Sequence, residues 1–397
     1  MRIKPIIEQC VVRNAHPLGC EQHILSQINY VKSQPILDSS PKRVLVLGSS
    51  GGLGLAARIA LTFGANAKTI GVSLDSAPTE DRTGSAGFFN NHYFKYYAQK
   101  EGHLAVNIQG DVFDPQTKTD VIEAIETYFE GEVDLIVYSI AAPKRRKPDS
   151  DRHWHSTIKP LGHAVPSVHV DIGEDLWHSV MLEPALPEEL ESTVRVMGGE
   201  DWASWIDTLV NSESIAEGCQ TIAFSYMGPD ITHPLYLDGT LGHAKVDLHQ
   251  TSHALNLELA NFDGAAYAVV CKALVTRASL VIPGLVPYMA SLQHTLALEG
   301  HDEDCIEQMT RLCQDILFNE HVKVDGERLI RLDNYELDEK VQATTRTVMA
   351  DLNAENFAQF SGYQQLKKRF MQLHGFAWDG IDYSLPVDMK VYKKSSS

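Results

Sequence analysis

Arg43-Val-Leu-Val-Leu47 runs without interruption into Gly48-Ser-Ser-Gly51-Gly52-Leu53-Gly54 and then into Leu55-Ala-Ala-Arg-Ile-Ala-Leu61. The short leucine and β-branched run reads as a buried strand, and the small-residue stretch after it as a helix over 53–63. The glycines between them follow the pattern GxxxGxG. Gly48 permits a tight turn, Gly52 lets the backbone approach a diphosphate, and Gly54 lets the helix pack closely on the strand. The helix start then offers unpaired N–H groups and the positive end of its dipole to phosphate. A glycine cluster is weak evidence alone. Placed between a strand and a helix it is a dinucleotide-binding signature.

Outward from this turn the chain keeps alternating. Strands are expected at 69–74, 104–109 and 133–139, with helices at 88–100 and 118–129. Such alternation implies parallel pairing through right-handed crossovers. Two later strand-like runs, 220–226 and 266–274, flank a helical span at 240–260. The expected fold is α/β: a Rossmann-type, doubly wound parallel sheet of six or more strands, short-chain dehydrogenase/reductase-like, with extra N-terminal and C-terminal helical elements. A catalytic domain over 1–302 would carry an N-terminal extension (1–41) and a long irregular insertion (143–200) rich in Pro, His and Gly. Residues 303–397 read as a mostly helical appendage packed on it, ending in a frayed tail from Lys393 to Ser397.

The 397 residues are 44% hydrophobic, ample for a large core. No apolar run reaches the roughly 18 residues of a membrane span. The first ten residues lack a signal-peptide core, so a cytoplasmic location is expected. Six scattered cysteines without a CxxC pair read as reduced thiols, and neither a metal nor a disulfide framework is expected. The His153-Trp154-His155 run lacks a carboxylate partner and is a weak metal signal. A net charge of -18 argues against nucleic acid and anionic membranes as partners. Small molecules are expected instead, or a protein docking on a local basic patch. The dense basic run, Lys144 to Lys147 with Arg152 nearby, follows the 133–139 strand. It could steer an acidic or phosphate-bearing substrate carrier, or be a solvated loop paired with neighbouring carboxylates.

Asp75 stands at the end of the second strand, 21 residues beyond Gly54. A carboxylate there accepts hydrogen bonds from the adenosine ribose and repels a 2′-phosphate, which favours NADH over NADPH. Asp111 and Ser139 sit at the next two carboxyl ends, as ligand contacts or as plain turn residues. A reductase of this fold also needs a proton donor by the nicotinamide, and a Tyr beside a Lys is suited to that. Tyr96 and Lys100 have the Tyr-x3-Lys spacing of ordinary short-chain dehydrogenases, but they lie between the second and third strands and read as surface-helix residues. Tyr236 and Lys245 follow the fifth strand with Tyr-x8-Lys spacing. Nine steps of continuous helix at about 100° each would place them on opposite faces. They converge only if Tyr236 precedes the helix, which Pro234, Gly239 and a possible Thr240 N-cap favour. Tyr226, closing the fifth strand, points to the same place. With 14 Tyr and 34 Lys plus Arg, spacing alone leaves chance pairing open.

Several segments together carry a resemblance. Ala15-His-Pro-Leu-Gly-Cys20, the Gly48 loop, Val137-Tyr-Ser-Ile-Ala-Ala-Pro143, Val196-Met-Gly-Gly-Glu-Asp-Trp202, Ile231-Thr-His233 and Tyr236-x8-Lys245 are similar to the FabV-type enoyl-acyl-carrier-protein reductases, also called trans-2-enoyl-CoA reductases. The similarity spans nearly the whole chain, and the Tyr-x8-Lys spacing separates this family from related enoyl reductases. The resemblance implies NADH-dependent reduction of the C2–C3 double bond of an enoyl thioester, on CoA or acyl carrier protein, as the last step of fatty acid elongation. It implies Tyr236 as proton donor, Lys245 as nicotinamide-side cofactor ligand and Tyr226 as a substrate contact. It further implies cofactor contacts at Gly48, Ser49, Ser50, Gly51, Gly52 and Leu53, at Leu74 and Asp75, at Asp111 and Val112, at Ser139 and Ile140, at Lys245, and at Leu274, Val275 and Thr276. The family often carries an aromatic where Leu53 stands and Glu where Asp75 stands. A monomer is expected, and no flavin, since the C-terminal part shows no second phosphate loop. The apolar run Leu280 to Pro287 could cover an acyl chain or be ordinary core. Two rival functions are weaker: a ketoacyl reductase, whose usual Tyr-x3-Lys is misplaced here, and a non-catalytic NAD sensor, which would not need the Tyr236–Lys245 pair.

Overall fold

The computed structural model describes residues 1–37, 41–148 and 150–393. The expected tail lies, from 394 onward, outside the described residues. Seven parallel strands form the central sheet: β1 (Arg43–Leu47), β2 (Lys68–Ser73), β3 (Ala105–Gln109), β4 (Val133–Tyr138), β5 (Ile215–Ser225), β6 (Ala265–Val270) and β7 (Ile330–Arg331). Their spatial order is β7-β6-β5-β4-β1-β2-β3. The order reverses between β1 and β4, whose register runs from Val44 opposite Leu135 to Leu47 opposite Tyr138. In an open α/β sheet ligands bind in the crevice at that switch point, beyond the carboxyl ends.

The middle of the sheet is buried on both sides, and β1 and β4 there are nearly all apolar. Side chains alternate between two cores: Val44 and Val46 face one, Leu45 and Leu47 the other. The helices are α1 (Pro17–Lys32), α2 (Gly52–Ile59), α3 (Ala86–Lys100), α4 (Pro115–Phe129), α5 (Pro187–Met197), α6 (Glu200–Asn211), α7 (Thr240–Leu259), α8 (Leu285–Glu299), α9 (Cys305–Leu312), α10 (Glu339–Ala350), α11 (Ser361–Gln372) and α12 (Lys390–Lys393). The first core collects α1, α2, α3, α8 and the C-terminal helices, the second α4, α6 and α7. None of the helices among the described residues is long and apolar enough to cross a membrane.

Two expected boundaries move. The helix expected over 53–63 is α-helical only to Ile59 and continues as a single π-turn, Ala60–Gly64. The strand expected to reach 274 ends at Val270, so Leu274 to Thr276 lie in the loop beyond it. The described part of the insertion at 143–200 has secondary structure of its own. It holds the hairpin Lys144–Arg146 with His153–His155, a longer hairpin Val165–Asp171 with Leu176–Leu182, and α5. The C-terminal segment contributes β7 to the sheet edge.

The two terminal segments meet. The Met1 amine donates to Val387 O at 2.7 Å, and His16 N to His374 O at 2.9 Å. Gly19 of α1 lies so close to Gly375 that a Cβ would sit 1.7 Å from its carbonyl oxygen. Gly362 likewise lets α11 cross α8 against the Ala290 carbonyl.

Candidate active site

The glycine loop has the geometry its residue types suggest. Gly48 adopts φ +90°, and a Cβ there would lie 2.1 Å from Ser139 O. Gly54 presses on the Gly48 carbonyl and on Ser139, with 2.2 Å from its missing Cβ to Gly48 O. At Gly52, with φ +54°, a Cβ would lie 3.6 Å from the Thr276 methyl, an ordinary contact. Gly51 precedes α2 with extended backbone, and no side chain caps the helix. The first-turn N–H groups are left for a ligand. Ser49 and Ser50 turn inward: the Ser49 hydroxyl donates to Val72 O at 3.3 Å, and Ser50 O accepts from Asn90. Only the backbone of these two residues lines the loop's outer side. Ile140 packs against Gly48, and Leu53 is half-buried at the start of α2.

Asp75 lies two residues past β2. Its Oδ1 accepts from Ser85 Oγ at 2.9 Å, while its Oδ2 is buried without a partner among the described residues. A buried acceptor left open is costly unless a ligand fills it, and ribose hydroxyls are suitable donors. Gly87 makes room for this carboxylate, since a Cβ there would lie 2.1 Å from Oδ1. Leu74 beside it is 70% exposed, as an adenine-side contact would be without ligand. Asp111 accepts from Phe113 N and forms the turn after β3, and the buried Val112 presents its carbonyl to Trp205. Leu274 and Val275 are buried, and Thr276 is fixed by reciprocal bonds with Ser279. These residues fit an NADH molecule lying across the carboxyl ends of the sheet.

Two residues near the crevice carry no motif. Arg277 stands over the loop, with its guanidinium nitrogen 2.6 Å from where a Gly51 Cβ would lie. Its positive charge lies beside the glycine loop. Cys271 lies beneath Tyr236 and Lys245, and burial pushes its thiol up so that it stays neutral. A lone arginine after a strand has no sequence signature; only the folding of 274–279 back over the loop gives it this place.

Tyr236 precedes α7 in a series of turns over 230–239, as the spacing requires. Tyr236 N donates to Thr232 O at 2.9 Å, and its carbonyl receives Gly239 N and Gly242 N. The N-cap is Gly239, not Thr240. Thr240 is the first helical residue, and its hydroxyl is drawn to the Thr157 carbonyl of the insertion. Gly242 is sterically required, because a Cβ there would lie 1.9 Å from Leu237 O. Tyr236 is 6% exposed. Burial pushes its phenol pKa upward, with no hydrogen-bonded partner among the causes. Tyr226 meets it edge-on, ring centroids 4.7 Å apart at 88°. The Tyr226 hydroxyl is engaged elsewhere, donating to Glu336 at 2.7 Å. The half-buried Lys245 donates to Phe224 O at 3.1 Å at the carboxyl end of β5, and burial lowers its ammonium to about 8. His249 pairs with Ser225 Oγ, and burial followed by the Lys245 charge lowers it to about 4, so it is neutral at working pH.

Tyr96 is 52% exposed on α3, away from this cluster. In the basic run, Arg145 is engaged inside the protein. It donates to Arg195 O, pairs with Glu200 at 3.1 Å and lies over Phe113 and Trp154. Arg146 pairs with Asp151. The paired-carboxylate reading therefore holds for these two arginines. His153 and His155 lie on the partner strand of the same hairpin, flanking the Trp154 that Arg145, Lys147 and Arg195 cover.

Comparison with known proteins agrees with this geometry along the chain. Residues 82–318 match the trans-2-enoyl-CoA reductase catalytic region, and residues 2–80 the NAD(P)H binding domain of trans-2-enoyl-CoA reductase. Residues 324–387 match the enoyl reductase FAD binding domain. In that span α10 and α11 pack on α8, with Gly362 against the Ala290 carbonyl and Gly375 against the His16 carbonyl. An enoyl-[acyl-carrier-protein] reductase [NADH] of Vibrio cholerae is 59% identical over 395 residues, 98% of each chain. One from Vibrio parahaemolyticus is 56% identical over 392 residues, again 98% of each. The trans-2-enoyl-CoA reductase of Clostridium acetobutulicum, solved in complex with NADH, superposes with a TM-score of 0.95 at 37% identity, covering 99% of both chains. That of Treponema denticola, in complex with NAD, superposes at 0.92 and 40%, covering 98% of both. With a glycine turn at the sheet's switch point and Tyr236 and Lys245 spaced Tyr-x8-Lys before and within α7, the chain belongs to the NADH-dependent enoyl-acyl-carrier-protein and trans-2-enoyl-CoA reductase family.

Proposed function

We propose that this protein reduces the C2–C3 double bond of trans-2-enoyl thioesters with NADH, with Tyr236 as the proton donor and Lys245 as the group that holds the nicotinamide-side ribose. NADH, when bound, supplies a hydride to the β-carbon of the enoyl group. The remaining work falls to the protein. As negative charge develops on the thioester oxygen, the Tyr236 hydroxyl hydrogen-bonds to it and delivers a proton. A donor aimed at charge that appears only in the transition state is usually the largest catalytic term. The observation that carries this assignment is the difference between the two tyrosines. Tyr226 has its hydroxyl proton committed to Glu336, whereas Tyr236 is buried with no side-chain partner for its own among the described residues. Of these two tyrosines, it is Tyr236 whose proton is free for the substrate. Its raised pKa keeps the phenol protonated across the working range.

The substrates are enoyl groups carried by CoA or acyl carrier protein, and the enzyme works as a monomer in the cytoplasm. The acyl chain lies against 280–287, which seals one side of the crevice; Leu280 and Leu285 there are buried. Loss of NADH absorbance with crotonyl-CoA, and none with acetoacetyl-CoA, is the expected result. The reverse pattern would assign a ketoacyl reductase, and NADH binding without turnover on either would assign a sensor.

A further inference from the structure

Glu336 is fully buried, arrives from the C-terminal segment five residues beyond β7, and belongs to no motif. Its Oε1 accepts from Tyr226 and from Tyr288, each at 2.7 Å, and its Oε2 accepts from Ala273 N at 2.6 Å. Gln342 braces the arrangement, donating to the Glu336 carbonyl at 2.6 Å and to the Tyr288 hydroxyl at 3.1 Å. Among the described residues the carboxylate has no ion-pair partner within salt-bridge distance. A buried carboxylate is kept only where donors satisfy it, and the three donors here come from distant parts of the chain. One is Tyr226, whose ring meets Tyr236 edge-on. Another is the N–H of Ala273, directly before the Leu274–Thr276 segment on the cofactor side.

We propose that Glu336 is a positioning residue for the reduction: it holds Tyr226 so that the Tyr226 ring props Tyr236, and it anchors the head of the Leu274–Thr276 segment. Among the described residues no side-chain hydrogen bond fixes the Tyr236 ring, so its aim depends on its backbone turns and on this contact. A donor misaligned by a fraction of an ångström is a loss in the chemical step more than in substrate binding. The proposal rests on Tyr236 being the proton donor.

The test compares Glu336→Gln, Tyr226→Phe, Tyr236→Phe and the double variant Glu336→Gln/Tyr236→Phe. Each is assayed for kcat and KM with crotonyl-CoA and NADH, below its own melting temperature. Gln keeps the shape of the side chain but turns its N–H₂ either to the Ala273 N–H or to the two phenols, so one side loses its acceptor and the other keeps only an uncharged one. Glu336→Gln is expected to lower kcat about tenfold or more, with KM for crotonyl-CoA within about twofold of wild type. In the Tyr236→Phe background it is expected to add less than about twofold, because the group it aims is gone. A lowered melting temperature with unchanged kcat, or a full multiplicative loss in the double variant, overturns the positioning role. If Glu336→Gln does not fold, Tyr226→Phe and Tyr226→Phe/Tyr236→Phe make the same comparison while leaving the carboxylate two of its donors. Near-normal turnover in Tyr236→Phe overturns the donor assignment itself. A normal Glu336→Gln beside a crippled Tyr236→Phe overturns only the positioning.

Discussion

Tyr236 is free of the helical repeat that holds Lys245 because the chain delays its helix. With α7 starting at Thr240, Tyr236 lies outside the helical repeat and can turn toward Lys245. Tyr236→Phe is expected to cut kcat by roughly 10²-fold with little change in NADH affinity, because it removes a group used only in the transition state; stopped-flow turnover with NADH titration checks this. Lys245 carries a pH signature. Its ammonium, at about 8, lies below the ordinary 10.5. Between those values the unfolded chain binds more protons, so this group's contribution to fold stability rises with pH across that window. NADH binding runs the other way, since a charged ammonium attracts the cofactor. Affinity for NADH is expected to fall as pH rises through about 8, and Lys245→Met should bind more weakly and lose that dependence. Fluorescence titrations from about pH 6.5 to about 9.5 would show it. At the ribose end, Asp75→Ser is expected to narrow the preference for NADH over NADPH, read as the ratio of kcat/KM values. An unchanged ratio would place the open Asp75 Oδ2 away from the 2′ position.

At the scale of elements, the β1–α2 turn depends on van der Waals exclusion. A methyl at position 54 would collide with the Gly48 carbonyl and Ser139, neither of which can yield without moving β1 or β4. Gly54→Ala is expected to cost about 1–3 kcal/mol of overpacking and to weaken NADH binding about tenfold or more; calorimetric melting with cofactor titration measures both. The Lys144–Arg146 hairpin shows how an element alters a sequence reading. Its charges suggested a docking patch, but strand geometry turns Arg145 inward onto Phe113, Trp154 and Glu200 and leaves its side chain 12% exposed. Arg145→Glu is therefore a stability variant, and a carrier-docking effect is better sought at the exposed Lys144.

Across the whole molecule, the C-terminal segment is part of the fold's foundation. Leu329, Ile330, Leu332, Tyr363, Leu366 and Phe370 are each at most 1% exposed. At ~1.5–3 kcal/mol per buried side chain, their loss approaches the entire ~5–15 kcal/mol that keeps a domain folded. A chain ending at residue 323 is expected to show no cooperative melt, and added FAD should not restore one. A soluble, NADH-reducing fragment would show the segment to be dispensable.

The sequence by itself determined the parallel α/β sheet and the glycine turn that opens its first helix. Those rest on local rules: apolar runs of strand length, glycines where backbone must turn or approach closely, and polar residues at strand ends such as Asp75, Asp111 and Ser139. It also determined that Tyr236 must precede its helix, since helical periodicity admits no other convergence with Lys245. Only the tertiary structure decided the rest. The hairpins of 143–200 are two-stranded and half-exposed, so no strong alternation announces them. β7 is two residues long and is a strand only because β6 lies beside it. Arg277 reaches the phosphate loop, and Glu336 reaches Tyr226, across 226 and 110 positions of chain respectively. Contacts that distant in sequence carry no period and no spacing; they exist because two cores, closed by both termini, bring those side chains to the carboxyl ends of the same sheet.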